Sequence, residues 1–316
     1  MKSSFGRVGV LYGGLSAERE VSLMSGRGVC EALRSKGVDA HLFDTGEHAL
    51  CALADAGFDR VFIALHGRYG EDGSIQGALE LMRIPYTGSG LLASSLAMDK
   101  IMTKKLWVHE GLPTPAWRVL DDASALDGLV AALGLPLIIK PALEGSTLGL
   151  TRVTRPDALV AAFERAQRYG GAVLAEQFLP GAELTVPLLG AGAQARALPV
   201  IEIRAPGGHY DYEHKYLSDD TRYLCPAPLD EALAREVMEL ARRAYVVLGC
   251  EGWGRADLML DADGRPWLLE MNTSPGMTGH SLVPIAAAAA GMDYAELCMA
   301  ILSEASCKIG SGVQGD

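Results

Sequence analysis

Asp257, Glu270 and the amide Asn272 share one short segment, GRADLMLDADGRPWLLEMN, at residues 254–272. Within it, Asp263-Gly264 is a strong hairpin signal, and a two-residue type I′ turn sets Ala262 against Arg265. Counting outward, Asp257 then opposes Glu270 and Arg255 opposes Asn272. Side chains alternate faces along a strand, so all four point the same way. The other face gathers Ala256, Leu258 and Leu260 against Met271, Leu269 and Trp267, which reads as core. Facing carboxylates repel each other in a bare sheet, so a cation belongs beside them. Oxygen donors from Asp257, Glu270 and Asn272, with room for water and phosphate, describe a magnesium site. The plainer alternative is a surface hairpin on which Arg255 neutralises the acids.

A second segment, PLIIKPALEGSTLGLTRV at 136–153, delivers Lys140 from a buried strand into a glycine-rich loop carrying Ser146 and Thr147. Glycines let backbone N–H groups approach phosphate oxygens, and the hydroxyls add donors. No G-K-[ST] opens a helix here, so the pattern is a hairpin lid over phosphates, not a Walker motif. Taken alone it is also an ordinary turn. In AVLAEQFLPGAEL, residues 172–184, Glu176 to Leu179 end one strand and Glu183 begins the next. The exposed backbone of such a junction suits a purine edge, with Glu183 placed for ribose hydroxyls. Solvated glutamates on a turn are the bland alternative.

Near the front, GGLSAERE puts Glu18 on the first turn of a helix, where it favours the helix dipole or meets an ammonium group. LHGRYGEDG puts His66 at the C-terminal end of a strand, the ligand edge of a parallel sheet. NTSPGMTGHS follows the acidic hairpin directly, and its amides and Ser281 suit a carboxylate or oxyanion.

The elements that position these groups follow from pattern. Strand, glycine turn and helix open the chain, with Ser16 as a candidate N-cap. FDRVFIALHG and RIPYTGSG supply further strands, which implies parallel βαβ units and a Rossmann-like α/β lobe. One helix is expected from Leu91 to about Gly111. Beyond it, LPLIIKP, GLTRV, AVLAEQFL, ELTVPLLG and LPVIEI are short strands of an antiparallel α+β region. Residues 204–228 are too polar and too long for a connector and read as a functional loop. Helices are expected at 230–248 and 294–304.

Composition bounds the answer. The 316 residues carry 28 basic and 39 acidic side chains, a net charge of −11. No basic block exists, which argues against nucleic acid as a partner. The six cysteines are scattered, so neither a disulfide framework nor a zinc site is expected. The longest apolar runs, Leu129–Ile139 and Leu282–Met292, are too short for a membrane span. A cytoplasmic protein is the expectation.

Taken together the segments resemble the D-alanine–D-alanine ligase family of the ATP-grasp superfamily. The likeness runs from GGLSAEREVSLMSG through ALHGRYGEDGSIQG, YTGSG, MDK, IIKPALEGSTLG, DYEHKYLSDDTRY and GWGRADLML to LLEMNTSPGMTGHSLVP. The resemblance implies a substrate lobe at 1–97 and two ATP-grasp lobes at 98–182 and 183–316, with ATP clamped between them. It implies that Lys100 and Lys140 contact phosphates, with Ser146 and Thr147 on the covering loop. Glu176, Gln177, Phe178 and Leu179 would hold adenine, and Glu183 ribose. Asp257, Glu270 and Asn272 would ligate two Mg2+ or Mn2+ ions.

For the substrates, two D-alanine molecules, it implies that Glu18 takes the first ammonium and is linked to Ser146 and Tyr216. Lys215 would reach the γ-phosphate from a lid at about 207–223. Arg255 and the Gly276 amide would form the oxyanion site, Ser281 would bind the second carboxylate, and His66 would lie near the first substrate. A homodimer is also implied. Phe178, Thr147 and Met271 stand where the family often has tryptophan, serine and alanine. Tyr216 matches the dipeptide-forming branch, since depsipeptide-forming relatives often carry phenylalanine there.

Three other readings remain open at this point. One is a relative joining D-alanine to D-serine or D-lactate. Another is a nicotinamide oxidoreductase, suggested by the first glycine turn but lacking a full G-x-G-x-x-G. The third is a non-catalytic ATP sensor, which would be expected to have a broken set of metal and phosphate residues.

Overall fold

The computed structural model describes residues 5–145, 148–205 and 220–309. The first part runs β1 (Arg7–Tyr12), α1 (Arg19–Ser35), β2 (Asp39–Asp44), α2 (Leu50–Asp55), β3 (Arg60–Ile63), α3 (Ser74–Met82) and α4 (Leu91–Met98). Its strands form a parallel sheet in the order β2-β1-β3. Gly13 and Gly14, at φ +71° and +75°, make the turn after β1 in a region that side-chain-bearing residues avoid. Helix α1 buries Val21, Ser25, Val29 and Leu33 along one face, the 3.6-residue period of an amphipathic helix.

The middle part comprises α5 (Lys100–His109), β4 (Trp117–Leu120), α6 (Leu129–Leu133), β5 (Leu137–Pro141), β6 (Thr151–Val153), α7 (Leu159–Gln167) and β7 (Val173–Gln177). Its antiparallel sheet is ordered β4-β7-β5-β6. Leu137, Ile139 and Val153 from the sheet and Phe163 and Ala166 from α7 make its core.

The last part holds β8 (Glu183–Leu189), β9 (Arg196–Ala197), β10 (Ile201–Arg204), β11 (Arg222–Leu224), α8 (Glu231–Val247), β12 (Trp253–Leu260), β13 (Pro266–Asn272), α9 (Leu282–Ala289) and α10 (Tyr294–Ser303). These strands form an antiparallel sheet, β11-β10-β8-β12-β13, with β9 on β8. One face packs on α5 and α8 through Trp107, Val237 and Leu240. The other shares a core with the parallel sheet through Phe62, Ile201, Trp253, Val283 and Leu297. The predicted mixture of an α/β lobe and α+β lobes is the architecture observed.

Several local expectations need correction. The helix from Leu91 breaks at Asp99, whose extended backbone and side chain cap α5 by accepting from Ile101 N and Met102 N at 2.9 and 3.0 Å. Ser16 does not cap α1; the helix starts at Arg19 after Glu18, and Ser16 Oγ accepts from Glu18 N and donates to His66 O. RIPYTGSG forms no strand, only single bridges of Tyr86 to Val61 and Ser306. Strand β2 (DAHLFD) is not signalled by the sequence pattern.

The hairpin turn also differs. Asp261 N donates to Arg265 O, leaving a three-residue loop with Gly264 at φ +79°. The shift is undone by a bulge between Asp257 and Leu258, beyond which Asp257 opposes Glu270 and Arg255 opposes Asn272. The predicted acidic register therefore stands, but Leu268, not Leu269, faces Leu258 in the core. Trp267 is half-buried and donates to Asp261 Oδ2 at 2.9 Å.

Candidate active site

The Asp99 cap sets the start of α5 against the β5 loop. Lys100 N donates to Ala142 O, and Lys100 Nζ donates to Glu144 O at 2.7 Å. The same ammonium pairs with Glu270 at 3.2 Å, joining α5 to β13. Lys140, on β5, pairs with Glu176 at the end of β7. Glu176 is neither solvated nor on an exposed turn; it is buried between Lys140 and Lys104, the latter 2.5 Å away. Burial alone would raise the Glu176 pKa, but the two ammonium charges and their hydrogen bonds overcome it and hold the carboxyl at about 2. Lys140 is raised: its burial opposes charge, yet Glu176 and Glu270 outweigh it. Burial wins at Lys104, whose pKa is lowered. Lys100 and Lys140 are thus each held by an acid of another element, Glu270 and Glu176.

On the acidic face, Asp257 accepts from Thr185 Oγ1 at 2.6 Å and from Asn272 Nδ2 at 3.0 Å. Arg255 holds both its oxygens, Nε to Oδ1 at 2.8 Å and the terminal nitrogen to Oδ2 at 2.6 Å. The plain reading, with Arg255 neutralising an acid, is therefore realised at Asp257, while Glu270 is paired from another element by Lys100. The donor set still fits a hard divalent cation: two carboxylates and an amide side by side on one sheet face. Among the described residues no group of three or more His, Cys, Asp or Glu could hold a metal. Phosphate oxygens would have to complete such a shell.

A cavity of about 170 Å³ adjoins this face. Glu18, His66, Arg255, Gly276 and Ser281 all line it together with Glu270 and Asn272. Residues 264 positions apart in the chain, Glu18 and Leu282, thereby share one wall. A Cβ on Gly276 would stand 2.9 Å from Ser281 Oγ, so a side chain here displaces that hydroxyl, which Thr278 N and Thr278 Oγ1 hold at 2.9 and 2.8 Å. Gly145, on the β5 loop, brings its backbone close to Glu18 Oε1.

His66 is buried, with Nδ1 2.8 Å from Ser274 O and Nε2 3.1 Å from Ser25 Oγ. Since Ser274 O can only accept, Nδ1 carries the proton. Burial lowers the His66 pKa although Glu18 opposes this, so the ring is neutral. It braces the loop after β13 as well as facing the cavity.

Glu71 also lies in the motif LHGRYGEDG, whose pattern assigns it no role. It lines the same cavity and accepts from Gly67 N at 3.0 Å. Burial and then the nearby Glu18 charge push its carboxyl up to about 8. Lys104 and Thr185 join the site beside Glu176 and Asp257 without a sequence motif of their own. Lys104 lies one helical turn from Lys100, the signal that was available.

Residues 176–179 and Glu183, expected to hold adenine and ribose, do not line that cavity. Gln177 is exposed, its N–H bonded to Ala116 O, and Leu179 is buried. The Phe178 ring lies 4.0 Å beneath the Arg152 guanidinium. Glu183 opens β8 between Ile203 and Met259. Ser146, Thr147, Lys215 and Tyr216 lie outside the described residues, as do 207–219 of the expected lid. No single helix among the described residues is long and apolar enough to cross a membrane.

Comparisons with known proteins place the chain in a family. The family description "D-ala D-ala ligase C-terminus" matches residues 106–303, and "D-ala D-ala ligase N-terminus" matches 45–89. A D-alanine–D-alanine ligase of Bordetella pertussis is 67% identical over the whole of both chains. That of Cupriavidus necator is 61% identical, covering 96% of this chain and 93% of the relative. The crystal structure of the Bacillus anthracis ligase superposes with a TM-score of 0.84 at 35% identity, over 95% of this chain and 97% of that one. A Bacillus anthracis D-alanine–D-alanine ligase complexed with ATP gives 0.81 at 32% identity, with the same coverage.

Proposed function

The chain belongs to the D-alanine–D-alanine ligase family, and we propose on that footing that it joins two D-alanine molecules at the expense of ATP through an acyl phosphate. The observation that carries the reading is one cavity lined at once by Glu18, Arg255, Gly276, Ser281, Glu270 and Asn272. An ammonium acceptor, an oxyanion donor set and phosphate-facing acids meet there.

The chemistry follows from the poor electrophilicity of a carboxylate. An oxygen of the first D-alanine attacks the γ-phosphorus, ADP departs, and the acyl phosphate forms. The amine of the second D-alanine then attacks the acyl carbon, inorganic phosphate departs, and the nitrogen loses its proton. The first step is mostly positioning and charge neutralisation. Lys140 and Lys100 can supply charge there by leaving Glu176 and Glu270 for phosphate oxygens. Glu18 holds the first ammonium, Arg255 and the Gly276 amide meet the developing oxyanion, and Ser281 takes the second carboxylate. Asp257, Glu270 and Asn272 would hold Mg2+ or Mn2+, two ions in the same reading, which would neutralise the phosphate oxygens. Lys215, Tyr216 and the 207–223 segment complete the reading as a lid that keeps water from the acyl phosphate.

The parallel sheet supports a substrate lobe at 1–97, and the change of sheet after β7 supports lobes at 98–182 and 183–316. Pairing as a homodimer and a cytoplasmic setting belong to the same reading. Phosphate release with ATP, scanned over D- and L-amino acids, tests it, with the product identified by mass. Release specific to D-alanine and a D-alanyl-D-alanine mass are expected. Release with no dipeptide product, or with L-amino acids equally, contradicts it.

A further inference from the structure

Lys104 has no part in the chemistry above, yet it is the deepest of the three lysines at the nucleotide cleft. Its side chain is fully buried, whereas Lys100 and Lys140 each keep some exposure. Two contacts fix its ammonium: Thr114 Oγ1 at 2.5 Å and Glu176 Oε1 at 2.5 Å. Thr114 commits its own proton to Leu268 O at 2.8 Å, so its lone pairs are left to Lys104. The chain Lys104–Thr114–Leu268 thereby ties α5 to β13, and Lys104–Glu176 ties it to β7.

A buried ammonium is costly without a partner, and Glu176 already has one in Lys140. Two lysines on one carboxylate make sense if one of them leaves. Lys140 stands at the phosphate side with partial exposure; Lys104 has no route to solvent. When Lys140 turns to phosphate, Lys104 alone keeps Glu176 ionised and in place. The carboxylate also keeps acceptor capacity. Lys104 faces its Oε1 and Lys140 its Oε2. Two oxygens offer about four lone-pair sites, so the two ammonium groups do not exhaust it. A carboxylate held this way can only accept. It suits the exocyclic amine of adenine and repels the oxygen at the same position of a 6-oxopurine.

We propose that Lys104 is a positioning residue that sets base selectivity by holding Glu176 as an obligate acceptor toward the purine 6-position. The inference rests on the proposed placement of Glu176 to Leu179 along the purine.

The test compares Kd for ADP and IDP by calorimetry, and kcat/KM for ATP and ITP, in the parent protein, K104M and E176Q. Phosphate contacts are common to both nucleotides, so the ratio isolates the base. K104M is expected to lower the adenine preference about tenfold, with the loss in Kd and KM rather than kcat. A merely structural lysine would weaken both nucleotides alike, and an unchanged ratio in K104M overturns the proposal. E176Q separates the two layers. If E176Q lowers the ratio and K104M does not, Lys104 is not the positioning residue while the purine placement stands. If E176Q leaves the ratio unchanged, the placement falls and the proposal with it. Should K104M fail to fold, the K104M/E176Q double variant removes both charges and carries the test. Its ratio should equal that of E176Q; a different ratio means Lys104 acts independently of Glu176 and refutes the inference.

Discussion

Replacing Glu270 by glutamine removes one negative charge at constant side-chain length, and the structure separates its effects on folding and on turnover. The Glu270 carboxylate stands 3.2 Å from Lys100 Nζ, with its side chain 23% exposed. Lys100 keeps its hydrogen bond to Glu144 O in the variant, so no ammonium is stranded. A partly exposed pair of this kind contributes about 1 kcal/mol, which in a chain of this size moves the melting temperature by less than about 5 °C. With Glu270 as a proposed ligand of phosphate-neutralising ions, its loss should remove several kcal/mol from the transition state. Taking ~4 kcal/mol at 1.36 kcal/mol per decade, the rate falls on the order of 10³-fold. The assay is initial ADP release with ATP and D-alanine across a magnesium titration, beside thermal melting of both proteins. Turnover within about tenfold of the parent, with the same magnesium dependence and a normal melt, would refute the ligand assignment.

Other perturbations probe separate parts of the site. Gly276→Ala places a methyl group against Ser281 Oγ; KM for D-alanine should rise with little change in melting temperature, and an unchanged KM would remove Ser281 from substrate binding. Glu71 binds a proton more tightly folded, at about 8, than unfolded, near 4.5. The folded state therefore holds an extra proton across that window and stability falls as pH rises through it. Glu71→Gln should flatten the melting-temperature profile between about pH 5 and 8; an identical slope contradicts the shift. Tyr216→Phe should raise the use of D-lactate relative to D-alanine, and a product ratio that stays flat across pH refutes that role for the tyrosine.

Much of the molecule was legible because its signals are local. Alternation around Asp257 and Glu270 gave the acidic face, and glycine turns gave the strand ends. The hairpin shows how such reading is limited. Asp263-Gly264 marks a turn but not its length, and the extra loop residue is absorbed by the bulge at Leu258. The two departures cancel beyond the bulge and do not cancel before it, which is why Leu268 replaces Leu269 in the core. At Asp99 the apolar pattern runs on through the break, and only the capping side chain reveals two helices. Charge burial was the least legible feature. Nothing near Lys104 announces Glu176, 72 residues away, and only the packing of α5 against β7 brings them together. The pattern likewise places His66 at a strand end beside the cavity it lines, but does not reveal Ser25 and Ser274, both distant in sequence, at its ring nitrogens.

The most direct measurement is anomalous diffraction from crystals soaked with manganese and a non-hydrolysable ATP analogue. Manganese peaks about 2.2 Å from oxygens of Asp257, Glu270 and Asn272, and equally close to phosphate oxygens, are the expected result. Nucleotide bound elsewhere, or density showing Asp257 still clasped by Arg255 with no metal beside Glu270, would contradict it.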